Sequence, residues 1–313
     1  LFGYCAVGFR EGSMWVAARQ TDEDRCWNPR FYNGEDLEGL IEARVSEFPG
    51  SRVLGHLTRC ARDYSCFTAQ NLFYRRWEAG IPVSPACNAC CVGCISFQPA
   101  ECCPSPQQRI GFAPTVEEIS ELAVAHLAVA EAGIVSFGQG CEGEPLLRGG
   151  DLVRAVEAIR SGTEKGTINI NSNGSRPDTV DALARAGLDA LRVSLVSARE
   201  HLYKSYHRPQ GYGLAQVRDS ITRAADAGVQ VSLNLLHFPG VTDRPSELEA
   251  LIGLARSTRL ARIQLRNLNL DPEVFLGLVD GPDEEPMGVP RFLEVLRHEL
   301  PGVEIGNYTR PVS

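Results

Sequence analysis

At 313 residues, 43% apolar and 22% charged, the chain can build one sizeable α/β unit and lacks the apolar-poor composition of a disordered protein. A formal net charge of −8 removes the electrostatic basis for broad nucleic-acid binding. No apolar run is long enough to cross a bilayer and no signal-peptide pattern opens the chain, so no membrane role and a cytoplasmic location are expected.

Residues 1–79 follow no regular alternation and are expected to form a small N-terminal extension or cap, a candidate contributor to substrate recognition. From about residue 80, short β-rich runs alternate with helical runs, the pattern of repeated βα units on a parallel sheet. The first strand is expected at Ile81 to Ser84, closed by Pro85, and a long cysteine-bearing loop follows. Thr115 with Glu118 three residues later reads as a capping box, opening a helix that runs to about Glu131 and stops at Gly133. Further strands are expected at Ile134–Phe137, Thr167–Asn171, Ala190–Val196, Val229–Leu236 and Arg262–Leu268. Helices are expected at Asp151–Arg160, Asp178–Ala186, Leu214–Ala227 and Glu247–Ser257.

These six units over residues 80–272 predict an α/β fold, a partial (β/α)6 TIM-like barrel that stays open because a closed barrel needs eight strands. Residues 273–313 read as a C-terminal extension with an acidic Pro/Gly-rich loop, a helix near Arg291 to Glu299 and a last strand at Val303 to Gly306.

Eleven cysteines are many for such a chain, and none follows Cys141. A disulfide framework normally accompanies a small secreted fold, so metal or Fe–S ligation in a reducing compartment is the better expectation. The run Cys87-Asn-Ala-Cys-Cys-Val-Gly-Cys94 divides in two ways. Two abutting Cys-x2-Cys pairs, Cys87/Cys90 and Cys91/Cys94, would strain a four-thiolate zinc site. Cys-x3-Cys-x2-Cys, on Cys87, Cys91 and Cys94, needs one turn of loop around a [4Fe-4S] cluster. It leaves one iron free for S-adenosylmethionine (SAM), whose reductive cleavage would release a 5′-deoxyadenosyl radical.

The cysteine loop after the first strand, the glycine-rich end of the second and the strand order resemble the radical SAM superfamily over roughly residues 80 to 270. Two positions depart from its pattern. Gly93 stands where many members carry an aromatic residue before the third cysteine, and Cys90 is an extra thiol. The resemblance implies a [4Fe-4S] cluster on Cys87, Cys91 and Cys94, and SAM as second cofactor. Gly143-Glu144-Pro145 resembles the family's Gly-Gly-Glu-Pro segment, where glycine backbone and the acidic side chain bind the SAM amino group, with Glu142 competing for the role of Glu144. Polar residues on the fourth and fifth strands contact SAM in the family, which nominates Ser194 and Asn234, followed by Asn173. His207-Arg208 lies in the loop after the fourth strand, Arg208 as a candidate contact and His207 as a surface histidine. His126 reads as structural.

Cys60, Cys66, Cys102 and Cys103 are candidates for a second metal site, an auxiliary Fe–S cluster or zinc, set against the alternative of buried thiols. The expected function is hydrogen abstraction from an unidentified small-molecule or peptide substrate, served by an electron donor such as flavodoxin or ferredoxin. The competing reading is a non-catalytic zinc- or Fe–S-binding scaffold.

Overall fold

The structure, a computed structural model, describes residues 6–18, 25–97, 105–279 and 284–312. It begins with an antiparallel hairpin of β1 (Val7–Arg10) and β2 (Ser13–Val16). The connecting Glu11-Gly12 has φ of 53° and 80°, the left-handed turn whose twist matches paired strands. Three helices follow, α1 (Leu37–Glu47), α2 (Arg52–Asp63) and α3 (Phe67–Tyr74). Ser51 caps α2 by accepting from the Leu54 N–H, and Val53, Leu54, Leu57, Cys60 and Ala61 form its buried stripe.

From β3 (Arg76–Gly80) the winding is continuous. β4 (Glu131–Phe137), β5 (Thr167–Ser172), β6 (Ala190–Leu195), β7 (Gln230–Leu236), β8 (Arg262–Arg266) and β9 (Glu304–Gly306) join in chain order, every neighbouring pair parallel. The connections carry α4 (Val116–Leu127), α5 (Gly149–Gly162), α6 (Pro177–Ala186), α7 (Glu200–His207), α8 (Leu214–Asp226), α9 (Pro245–Thr258), α10 (Pro272–Leu276) and α11 (Val289–Glu299). β9, at the segment where a last strand was expected, adds a seventh strand to the predicted six.

The sheet is curved. β3 and β6 are separated by two strands, roughly 14 Å apart in a flat sheet at about 4.8 Å per step. Yet Arg192 Nη2 lies 2.9 Å from Glu78 Oε1, which requires the face carrying both to be concave. Parallel strands covered on both sides usually read as unbroken apolar runs. Here they alternate. Val135, Phe137, Ile168, Ile170, Leu191, Val193, Val231, Leu233 and Ile263 join the helices in the main core. Full burial of each such side chain contributes roughly 1.5–3 kcal/mol. The opposite parity gives Ser136, Asn169, Asn171, Arg192, Ser194, Ser232, Asn234 and Gln264, so the concave side is polar.

After β9 the chain crosses this polar face. The Tyr308 carbonyl accepts from Arg262 Nη1 at 3.0 Å and Gln264 Nε2 at 3.3 Å. Arg266 donates to Asn307, Arg192 to Thr309, and the Val312 N–H to Thr167 Oγ1 at 2.8 Å.

The first barrel strand sits earlier than Ile81–Ser84. Ile81 still donates to Ser136 O, but Pro82 has no N–H and the next two, of Val83 and Ser84, turn to the Glu142 carboxylate instead of a neighbouring strand. The helix α7 also replaces an expected loop. It ends at Arg208, which takes the left-handed conformation with φ 46°.

Candidate active site

The cysteine loop leaves the sheet beyond β3 and is framed by the segment that ends α7. Val92 N–H donates to Tyr206 O at 3.0 Å, Cys90 N–H to Arg208 O at 3.4 Å, and Gln210 N–H to Asn88 O at 2.9 Å. Asn269 Nδ2 donates to Gly93 O at 3.1 Å. Backbone donors that a loop would otherwise leave to water are thereby satisfied, which fixes its path.

The four thiols of this loop differ. Cys90 is exposed, and its sulfur accepts from Gln210 Nε2 at 3.3 Å. Burial pushes the Cys87 thiol up to about 11. Burial, with the neighbouring Cys94 and Cys87 sulfurs next in weight, drives Cys91 well above its ordinary value. Cys91 Sγ lies 3.3 Å from His207 Nδ1. Cys94 Sγ lies 3.6 Å from Arg109 Nη2 and 3.7 Å from Ser96 Oγ, and Arg109 Nε donates to Ser96 Oγ at 3.1 Å.

His207 is not on the surface as expected. It is buried because α7 folds back over the cysteine loop, and burial drives its imidazole far below the ordinary value. With Nδ1 on Cys91, its buried Nε2 has no hydrogen-bond partner. Arg208 meets the loop through its backbone carbonyl.

The glycine-rich loop after β4 packs against the same region. A Cβ at Gly138 would collide with the Asn171 carbonyl and one at Gly143 with the Ala86 carbonyl, so both approaches require glycine. Glu142 lies beneath. Its Oε1 accepts from the N–H groups of Gly138 (2.6 Å) and Gln139 (3.2 Å), and its Oε2 from those of Val83 (2.7 Å) and Ser84 (3.0 Å). Burial raises its carboxyl to about 8 against the pull of these four donors. Glu144 faces β5: Oε1 accepts from Ser172 Oγ (2.6 Å) and Leu146 N–H (3.0 Å), and Oε2 from Asn173 N–H (2.7 Å). Burial raises its carboxyl too. Asn173 Nδ2 donates to Asn88 Oδ1 at 2.8 Å, joining this strand end to the cysteine loop. Ser194 and Asn234 are direct neighbours on β6 and β7, and Asn234 Oδ1 accepts from Arg266 Nε at 2.5 Å.

Of the second candidate group, Cys102 and Cys103 lie outside the described residues. Cys60 is buried with its Sγ 3.6 Å from His56 Nε2, and Cys66 Sγ is 3.4 Å from Thr68 Oγ1. His126 is buried and bonds the Trp77 carbonyl through Nε2 at 2.9 Å.

The sequence model of the Radical SAM superfamily matches residues 81–253, more than half of the chain. The chain belongs to the radical SAM superfamily. A "Probable GTP 3',8-cyclase" of Aeropyrum pernix is 30% identical over 164 residues, covering 52% of this chain and 43% of that protein. A GTP 3',8-cyclase of Limosilactobacillus fermentum is 30% identical over 169 residues, covering 52% and 46%. This radical SAM chain thus spans less than half the length of these curated relatives. Among solved structures, a radical SAM methyltransferase from Sphaerobacter thermophilus superposes with a TM-score of 0.51 at 20% identity, over 74% of this chain and 66% of that one. The fold is therefore the partial barrel of radical SAM proteins, and the chain is an enzyme of that type. Among the described residues, no helix is long and apolar enough to cross a membrane.

Membership implies a [4Fe-4S] cluster and SAM, and the donors here suit the cluster. Three soft sulfurs come from one loop: burial opposes uncompensated thiolates at Cys87 and Cys91, a conflict that bound iron removes, and Cys94 has the Arg109 guanidinium 3.6 Å away. Sequence reasoning missed four features of this candidate site and the face beside it: Arg109, Tyr206, the true position of His207, and the Glu78–Arg192 pair. Arg192 carried a signal, being the charged residue in the middle of the strand Ala-Leu-Arg-Val-Ser-Leu. The other three act across more than a dozen residues and leave no local pattern.

Proposed function

We propose that the chain holds its [4Fe-4S] cluster on Cys87, Cys91 and Cys94, with Cys90 outside the ligand set, and cleaves SAM to start hydrogen abstraction from a polar substrate. One observation carries this reading: Cys87, Cys91 and Cys94 are each partly shielded from solvent within the loop, while Cys90 is exposed and turned to Gln210. When bound, cluster and SAM supply the one-electron cleavage that yields a 5′-deoxyadenosyl radical.

The chain's own residues do the remaining work. Arg109 sets a guanidinium beside Cys94, offsetting thiolate charge. His207 can donate Nδ1–H to Cys91. Glu142 acts as the clamp that joins the glycine loop to the stem of the cysteine loop. That leaves the SAM amino group to Gly143 backbone and to Glu144 at its β5 edge, beside Asn173. Ser194 and Asn234, adjacent on the concave face, serve the ribose and carboxylate. The polar concave face favours a polar substrate, a small molecule or a peptide, over an apolar one. The reductant is a one-electron donor of the flavodoxin or ferredoxin class, in a reducing compartment such as the cytoplasm.

Anaerobic reconstitution tests the proposal. Iron and sulfide in cluster proportion, with SAM converted to 5′-deoxyadenosine under strong reductant, are expected for the wild type and for Cys90→Ala. Cys87→Ala, Cys91→Ala and Cys94→Ala should each lose both. Equal loss in all four variants would refute the ligand set, and stoichiometric zinc without SAM cleavage would favour a scaffold.

A further inference from the structure

A second group of soft donors lies away from the cysteine loop. His56 and Cys60 are four residues apart on α2, so both project from one helix face. Cys141 comes from the glycine loop after β4. His56 Nε2, Cys60 Sγ and Cys141 Sγ lie within 4.8 Å of one another, with Nε2···Sγ of His56 and Cys60 at 3.6 Å. Cys60 and Cys141 are both buried.

We propose that His56, Cys60 and Cys141 bind a single thiophilic divalent cation of the Zn2+ class, independent of the SAM cluster, with Cys66 as the fourth ligand. The spacing decides its nuclearity. Around one tetrahedral zinc, with Zn–S near 2.3 Å and Zn–N near 2.0 Å, neighbouring ligand atoms sit about 3.5–3.8 Å apart. These three donors meet that spacing with small movements. A cubane, which places each thiolate on a different iron, needs ligands spread farther apart. Cys66 is the N-cap of α3, and its N–H donates to Cys60 O at 3.0 Å, which holds it beside the three clustered donors. Two thiolates and an imidazole suit zinc over magnesium or calcium, which prefer oxygen.

The placement gives the ion a job. Cys141 directly precedes Glu142, the residue that ties Val83 and Ser84 to Gly138 and Gln139. A metal here would staple α2 of the N-terminal region to the loop that carries the proposed SAM contacts. It would set loop position without touching substrate.

The test is elemental analysis of the full chain after anaerobic reconstitution. One zinc per chain is expected beside the cluster iron. His56→Ala and Cys141→Ser should lose the zinc and keep the iron. A chain with Cys87, Cys91 and Cys94 all changed to Ala should keep the zinc, which separates this site from the cluster and from the proposed function. Cys66→Ala should weaken zinc retention against a chelator about tenfold or more, and unchanged retention would overturn its assignment. In case His56→Ala does not fold, Co2+ replacement reads the site directly. The wild type should show a tetrahedral spectrum with thiolate-to-cobalt charge transfer, and His56→Cys should keep the metal and intensify that band. Absence of zinc, zinc surviving in a His56→Ala/Cys60→Ala chain, a second complement of iron and sulfide, or a Cys60–Cys141 disulfide in the intact mass would each overturn the proposal.

Discussion

The side chain of Tyr206 occupies the space that any side chain at Gly93 would need. A Cβ at Gly93 would collide with the Tyr206 hydroxyl and crowd Leu270 Cδ2 at 2.7 Å and Asn269 Oδ1 at 2.9 Å. Where the family resemblance leads one to expect an aromatic residue before the third cysteine, this chain has glycine with the Tyr206 hydroxyl of α7 against it. Gly93→Ala should therefore lower cluster iron per chain, and Tyr206→Phe in the same chain should restore part of it by removing the hydroxyl. Iron and sulfide assays on both variants check this; no recovery in the double variant would mean that Leu270 and Asn269 set the limit.

His207 faces Cys91 at 3.3 Å through Nδ1. Hydrogen bonds to cluster sulfurs raise reduction potential by stabilising the added electron. His207→Phe, which keeps a ring in the pocket, should shift the cluster midpoint negative with the iron content unchanged. Potentiometry followed by electron paramagnetic resonance reads the shift, and an unmoved midpoint would place the hydrogen on Nε2.

Glu78 and Arg192 form an ion pair on the concave face with side chains 4% and 8% exposed. Removing one partner of such a pair leaves an uncompensated charge and typically costs about 3–5 kcal/mol. Arg192→Met should lower stability by about that much in urea titration. Adding Glu78→Gln should recover a large share, and additive losses would show that the two do not act as a pair.

Burial holds His126 down to about 4, and its Nδ1 is buried without a hydrogen-bond partner. Because the folded value lies below the unfolded 6.5 or so, the unfolded chain takes up the proton first as pH falls. The contribution is fully present above about pH 6.5 and is lost towards pH 4, by about 3 kcal/mol in all. Urea titrations of the cluster-free chain at pH 7 and pH 5 should show a larger loss for the wild type than for His126→Gln. Parallel losses would contradict it.

Much of the barrel was legible because each βα unit carries its own local signals. Thr115 and Glu118 form the expected capping box, and Gly187 and Gly228, both at positive φ, close α6 and follow α8 where helix ends were expected. The first strand was misplaced because what stops it is Glu142, nearly sixty residues ahead, taking the Val83 and Ser84 N–H groups. The cysteine spacing made the loop visible. The partners of its sulfurs were not, since His207 meets Cys91 across 116 residues and reads locally as a surface histidine in a loop. The meeting of Cys141 with Cys60 is hidden in the same way: one lies in a helix, the other in a glycine loop, and only the packing of α2 against the barrel joins them.

Arg192, Arg262 and Arg266 all share the concave side, where Asn307, Tyr308 and Thr309 offer them neutral oxygens. Were residues 307–312 to lift away, these guanidinium groups would line an electropositive basin held back by Glu78 and Glu304. An anionic compound entering the barrel would then compete with the last turn of the chain for the same cations.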